Sequence, residues 1–281
     1  MGSKRVGWAR IRSLINENTG AFHFVAPPMV SKFDLGAQIT KCPQSDGSIF
    51  EGAAGETNQW MFRCGNTLSA VAIGTQTLLG PVLNTSGLDI SGDQTDNDGW
   101  QFRGRSSLAM GRLNKDYFTV GTSPAFYAKC KFSIADVSGI DDLRFGFAKV
   151  EAFNANPDDL DELATLAVMA GDIKTQTIIN GASTVATDIT SGGGDDAGNW
   201  ANAATHTFQV NVSSTGVVTY LIDGVAGTGA VAYTFDDGEN VTPYWFHRND
   251  SDVGGAIVWQ TFEFGLQAGS RTNTATSAGL D

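Results

Sequence analysis

Cysteine is scarce in this 281-residue chain, with only Cys42, Cys64 and Cys130. No two of them form a Cys-x-x-Cys pair. That excludes a disulfide framework and a zinc ribbon, and free, buried thiols are the expectation. A Cys42–Cys64 bridge stays open. Histidine is equally rare: His23, His206 and His247 have no second histidine two or four residues away, so no zinc-helix signature exists. No apolar run approaches the ~20 residues that span a bilayer. Residues 1–20 lack the apolar stretch of a secretory leader, and no membrane association is expected. A Gly-x-Ser-x-Gly elbow and a Gly-x-x-x-x-Gly-Lys loop are both missing, which argues against a serine hydrolase and a phosphate-loop nucleotidase.

What is abundant is glycine, at 34 residues, interspersed with Thr, Ser, Asn and Asp between short apolar runs. That mixture favours strands and tight turns over helices. The net charge is −12. An acidic body repels polyphosphate, so nucleic acid is not an expected partner. The charge is uneven. Lys4, Arg5, Arg10 and Arg12 precede the first acid, Glu17, so the first 16 residues carry +4 and the remaining 265 carry −16.

The periodicity predicts an all-β chain. Residues 5–16 place Trp8, Ile11 and Ile15 on one face of a short helix, too short to stand alone. Residues 1–40 are therefore expected to form an N-terminal arm, 41–268 a β-sandwich, and 269–281 a polar tail. The clearest hairpin is Thr205–Val212, a Ser213–Gly216 turn, and a return over 217–222 into Asp223-Gly224. Alternation predicts Phe208, Val210, Val212, Tyr220 and Ile222 in the core. Strands are also expected in 125–134, 143–150, 165–169, 174–179, 241–246 and 256–264. The acidic segment 156–163, with Pro157 near its start, is expected to hold one helical turn on a loop.

The segment 116–265 resembles the concanavalin A-like lectin/glucanase jelly roll. The resemblance is carried by Thr207-Phe-Gln-Val-Asn-Val212, a turn, and Val217-Val-Thr-Tyr-Leu-Ile-Asp-Gly224, followed by Phe235 and Pro243. It implies a jelly-roll β-sandwich. A second resemblance is to virion structural proteins of marine tailed phages. It rests on Gly87-Leu-Asp-Ile-Ser-Gly-Asp-Gln-Thr-Asp-Asn-Asp-Gly-Trp100, Asp116-Tyr-Phe-Thr-Val120 and the opening Lys4-Arg-Val-Gly-Trp-Ala-Arg-Ile-Arg-Ser-Leu-Ile15. It implies a capsid decoration (cement) protein made in the host cytoplasm and carried on the particle surface. Its partners would be the major capsid protein and neighbouring copies of itself. The alternative is a lectin-like module that binds a glycan on a particle or fibre.

Candidate sites follow. Lys4, Arg5, Trp8, Arg10, Ile11, Arg12 and Ile15 would form the partner-binding arm. Tyr244, Trp245 and His247 are candidates for a glycan or protein contact, against the commoner reading that Trp245 and its neighbours alternate into the core. Asp93, Asp96 and Asp98 sit in a loop of calcium type, but an Asx-rich turn is the commoner reading of such a run, and no metal or other cofactor is expected. Asp195-Asp196 and Asp236-Asp237-Gly238 are similar. The paired carboxylates of glucanases, Glu-x-Asp-x-x-Glu, are missing. Glu263 and Asp223 stand alone, so no hydrolase activity is expected.

Overall fold

The computed structural model describes residues 31–34, 59–61, 68–74, 82–84, 86–91, 95–104, 117–189, 199–250 and 256–267. Seventeen strands among them, numbered in chain order, form two antiparallel sheets. The first runs β15 (Val225–Ala226), β14 (Val218–Ile222), β13 (Thr205–Val212), β8 (Phe126–Ile134), β17 (Ile257–Leu266), β5 (Gly87–Asp89), β4 (Val82–Asn84). β1 (Ser31–Asp34) joins it beside β17, so these four residues of the segment read as an arm pair with the sandwich. The second sheet runs β12 (Val185–Asp188), β11 (Asp172–Ile178), β10 (Leu163–Met169), β9 (Ile140–Lys149), β16 (Asn240–Asn249), β6 (Gly99–Gly104), β3 (Leu68–Ile73), β2 (Gln59–Met61), with β7 (Phe118–Thr119) also on β16. The chain crosses between the sheets repeatedly, from β5 to β6, β7 to β8, β8 to β9, β12 to β13, β15 to β16 and β16 to β17. This is the expected jelly-roll sandwich.

Two 3-10 turns, Val137–Gly139 and Pro157–Asp159, are the helical segments among the described residues. The second is the helical turn expected in 156–163. Asn156 caps it by accepting from the Asp158 N–H, and Pro157 occupies the first turn, where no backbone donor is needed. No helix among the described residues is long and apolar enough to cross a membrane. The helix expected in 5–16, the tail, and Cys42 and Cys64 lie outside the described residues.

The hairpin forms in the register that alternation predicts. Phe208 faces Ile222, Val210 faces Tyr220 and Val212 faces Val218. All five residues expected in the core are buried. Asp223 and Gly224 both adopt positive φ, 52° and 83°. Such a pair turns a two-residue hairpin with the twist the strands require. The sandwich interior is aromatic. Trp245 meets Trp259 edge-on at 4.9 Å and Phe132 at 4.8 Å. Phe118 stacks on Phe126 at 4.2 Å. Cys130 is a buried free thiol in this core.

Candidate functional site

The two sheets treat their outer faces differently. In β8 and β13 every second residue is buried and the others are half-buried or exposed, as expected when one face meets water. In β9, β10 and β16 burial is nearly continuous. On β9, Leu143, Phe145 and Phe147 belong to the inner core, so alternation sends Asp142, Arg144, Gly146 and Ala148 to the outer face. By register this face holds one row of Arg103, Tyr244, Gly146, Thr165 and Gln176. A parallel row holds Gln101, Phe246, Arg144, Ala167 and Lys174. Gly146 is required there because a Cβ would lie 2.3 Å from the Ala164 carbonyl oxygen.

The face carries a second apolar cluster, separate from the inner core. It contains Ile73, Ala148, Leu160, Leu163, Ile178, Tyr244 and Phe246, with Phe153 against it. Leu160 and Phe153 come from the connection 150–162. β9 and β10 are adjacent and antiparallel, and a short hairpin loop can join such a pair. This longer connection instead reaches across the sheet. On one side the Arg103 guanidinium donates to the Glu151 carbonyl at 2.9 Å and lies 6.0 Å from the Phe153 ring centroid. On the other side, Thr184 donates to Asp158 at 2.7 Å. The Asp161 N–H donates to the Glu151 carboxylate at 3.0 Å, and Lys149 pairs with Asp161 at 2.6 Å.

At the centre is Arg144, with only 3% of its side chain exposed. Its Nε and Nη2 both donate to Asp142, at 2.9 Å and 2.7 Å to Oδ2. Nη2 also donates to Asp158 at 2.7 Å. Burial pushes the Asp142 carboxyl up, and the Arg144 charge offsets this only in part. Burial also raises Asp158, but hydrogen bonds from Thr184 and Arg144 outweigh it and hold that carboxyl below its ordinary range. Burial lowers Arg144, yet the two carboxylates more than compensate, so it stays charged.

Several buried polar atoms on this face have no hydrogen-bond partner, namely Arg144 Nη1, Gln101 Oε1 and Gln176 Oε1, while the Tyr244 hydroxyl is reached by the Gln101 side chain. An orphaned buried donor or acceptor costs about 1–3 kcal/mol. Buried polar groups without partners are uncommon, and each calls for an explanation. These are spread along the face, Gln101 on β6 and Gln176 on β11 with β16, β9 and β10 between them, and Arg144 sits in one row with Phe246. An apolar surface with a few placed polar groups is the composition of a polar ligand site.

The residues expected to matter are placed as follows. Trp245 and His247 point into the sandwich and are fully buried, so neither presents a contact surface. Trp245 Nε1 donates to His247 Nδ1 at 3.1 Å, and burial lowers the His247 pKa to about 3, so the ring is neutral. Tyr244 faces the opposite way, onto the outer cluster. Asp98 is buried in a turn, its N–H donating to the Thr95 carbonyl at 3.0 Å, and Asp96 is exposed. Asp93, Asp195, Asp196 and the arm residues Lys4 to Ile15 lie outside the described residues. No group of three metal-ligating side chains occurs among the described residues. Asp223 locks its own turn, accepting from the Thr207 N–H and contacting His206 Nδ1, both at 2.7 Å. Glu263 accepts from the Tyr127 hydroxyl, and both residues are on the eight-stranded sheet. Sequence reading missed Arg144, Gln101, Gln176 and Asp158. The one signal for them was polar residues at alternate strand positions, which reads as a wet face.

No protein-family model matches the sequence. No curated protein matches it. Among solved structures, the chain is similar to a protein of unknown function from Shewanella oneidensis MR-1, at 10% identity and a TM-score of 0.46, over 94% of this chain and 95% of that one. It is also similar to the Emp46p carbohydrate recognition domain, at 6% identity and a TM-score of 0.48, over 70% and 87% of the two chains. A third similarity is to an alginate lyase from Corynebacterium sp., at 11% identity and a TM-score of 0.44, over 67% and 82%.

Proposed function

We propose that the chain is a non-catalytic, lectin-like module that binds a glycan on the outer face of its nine-stranded sheet. The observation that carries this reading is the set of buried polar groups left unpaired on this face, the Arg144 Nη1 donor above all, with Gln101 Oε1 and Gln176 Oε1 further along it on either side. Sugar hydroxyls both donate and accept, so they complement such a set, and the Tyr244 and Phe246 rings offer apolar surface to a sugar ring. To admit a ligand, the connection 150–162 has to move off the face. A glycan array tests the reading. The intact chain is expected to retain a restricted set of glycans, with retention lost in Tyr244→Ala and no cleavage of the retained glycan. Retention of none, or turnover of a bound oligosaccharide, contradicts it.

A second reading, a capsid decoration protein on a virion surface, is supported by the charge reversal between residues 1–16 and the rest of the chain. In it, Lys4, Arg5, Arg10 and Arg12 pair with an acidic neighbour, such as the major capsid protein, while Trp8, Ile11 and Ile15 bury against it. Deleting residues 1–20 is expected to abolish salt-sensitive binding to particles while leaving the melting temperature unchanged. Undiminished decoration by the truncated chain contradicts this.

A further inference from the structure

We infer that the ligand carries a carboxylate, and that Asp158 holds that carboxylate's place in the unliganded protein. This rests on the glycan-binding reading above and narrows it to acidic saccharides, those containing uronic or sialic acid residues. The argument comes from how Arg144 is filled. A guanidinium offers two edges to a carboxylate, one made by Nε and Nη2, the other by Nη1 and Nη2. Asp142 occupies the first edge, bound at Nε and at Nη2. The second edge is only half-occupied. Asp158 Oδ1 reaches Nη2 at 2.7 Å, and Nη1 has no partner although it is fully buried. Two parallel hydrogen bonds are the preferred arrangement at such an edge, and Asp158 makes one.

The two carboxylates also differ in how they are held. Asp142 is on β9 and its side chain is 6% exposed, whereas the Asp158 side chain is 51% exposed. Asp158 sits on the 3-10 turn of the crossing connection, and its other side-chain partner is the Thr184 hydroxyl. It can leave with the connection, while Asp142 cannot leave without disrupting the sheet. Lifting the connection removes one negative charge from Arg144 and uncovers a complete Nη1–Nη2 edge. An incoming carboxylate restores the charge and supplies both bonds. A neutral sugar restores neither.

The test uses the intact chain with tetragalacturonate and with sialyllactose, each beside its carboxyl-reduced form. At least one acidic saccharide is expected to bind at least tenfold more tightly than its reduced form. Asp158→Ala is expected to tighten binding of both forms several-fold, because it removes a contact that opening must break, and to keep the preference for the acidic form. Hydrogen exchange on the unmodified chain provides a readout that needs no variant: backbone amides of 157–161 are expected to exchange faster with the acidic saccharide bound. Equal affinity for acidic and reduced forms overturns the inference and leaves the glycan-binding reading standing, whereas binding with unchanged exchange at 157–161 contradicts both. Binding of no saccharide in either form overturns both.

Discussion

The outer faces of the two sheets share a backbone plan and differ in what lies on them. On the eight-stranded sheet, Tyr127, Lys129 and Lys131 alternate with Ala128, Cys130 and Phe132, and the polar members are half-buried or exposed. Contacts on this face run along one strand or between neighbouring strands: Tyr127 with Glu263, Gln209 with Asn211, Asn211 with Thr219. On the nine-stranded sheet the corresponding positions of β9 and β16 carry Arg144, Tyr244 and Phe246, all buried. There the connection 150–162 lies against the face, and Arg144 Nη1 is left without a partner. A face that evolves only to be covered tends toward apolar residues, because an unpaired polar atom under a cover is costly. On the proposed reading, Arg144, Gln101 and Gln176 are kept there because the face is also uncovered.

The largest expected effect separates the faces most sharply. Arg144→Ala leaves Asp142 buried and uncompensated, and should cost about 3–5 kcal/mol in urea denaturation. Lys131→Ala, on the exposed face, should stay within about 0.5 kcal/mol. Similar losses for the two substitutions would erase the distinction. Phe208→Ala, in the core both sheets share, should also cost about 3–5 kcal/mol. No change in the melting curve there would mean that β13 has slipped by one residue, turning Phe208 to the solvent face.

Leu160→Ala tests the cover itself. It should cost about 2 kcal/mol, the low end for a buried leucine, because a surface connection can settle into the space left. It should also raise hydrogen exchange across 151–162 without affecting β13. Uniformly faster exchange would mean the connection opens only with the whole fold.

Glu162, at the end of the connection, provides a pH test. It is buried, both carboxylate oxygens lack partners, and burial together with the Glu239 and Asp236 charges raises its pKa to about 7, against a favourable effect of Lys149. The folded state therefore holds this proton more tightly than the unfolded chain. The protonated form's advantage is fully present below about pH 4.5 and is lost as pH rises through about 7. Glu162→Gln should flatten the fall in melting temperature between pH 4.5 and 7 and should be the more stable protein at pH 8. The opposite ranking at pH 8 contradicts the assignment. The smallest effect is expected from Tyr127→Phe, about 1 kcal/mol, on the half-exposed face.

How much of this was legible follows the same division. The β13–β14 hairpin was readable because its alternation, its Ser213–Gly216 turn and its Asp223-Gly224 turn are all local. Trp245 alternating inward was readable for the same reason. The covered face was not. Arg144, Gln101 and Gln176 look like solvent positions in sequence, yet all three are buried, Arg144 beneath Asp158 of the fold-back 150–162. That fold-back depends on contacts such as Arg103 with Glu151, 48 residues apart, which no local pattern encodes. β12 and β15 went unread because they are short edge strands with exposed side chains. Calcium-type spacing in 93–98 was legible as a turn, and Asp98 indeed serves one.

The most direct test of the account replaces two buried amides whose carbonyl oxygens lack partners with side chains of similar shape. The double variant Gln101→Met, Gln176→Met removes two buried carbonyl oxygens that have no partner. It should fold with a melting temperature close to that of the unmodified chain, since removing two unsatisfied oxygens offsets the loss of the Gln176 Nε2–Met169 Sδ contact. The measurement is a calorimetric titration of this variant with a glycan that binds the unmodified chain. The account predicts at least tenfold weaker binding despite little change in stability. Unchanged affinity would contradict it, because the outer face of the nine-stranded sheet would then not be where the ligand is held.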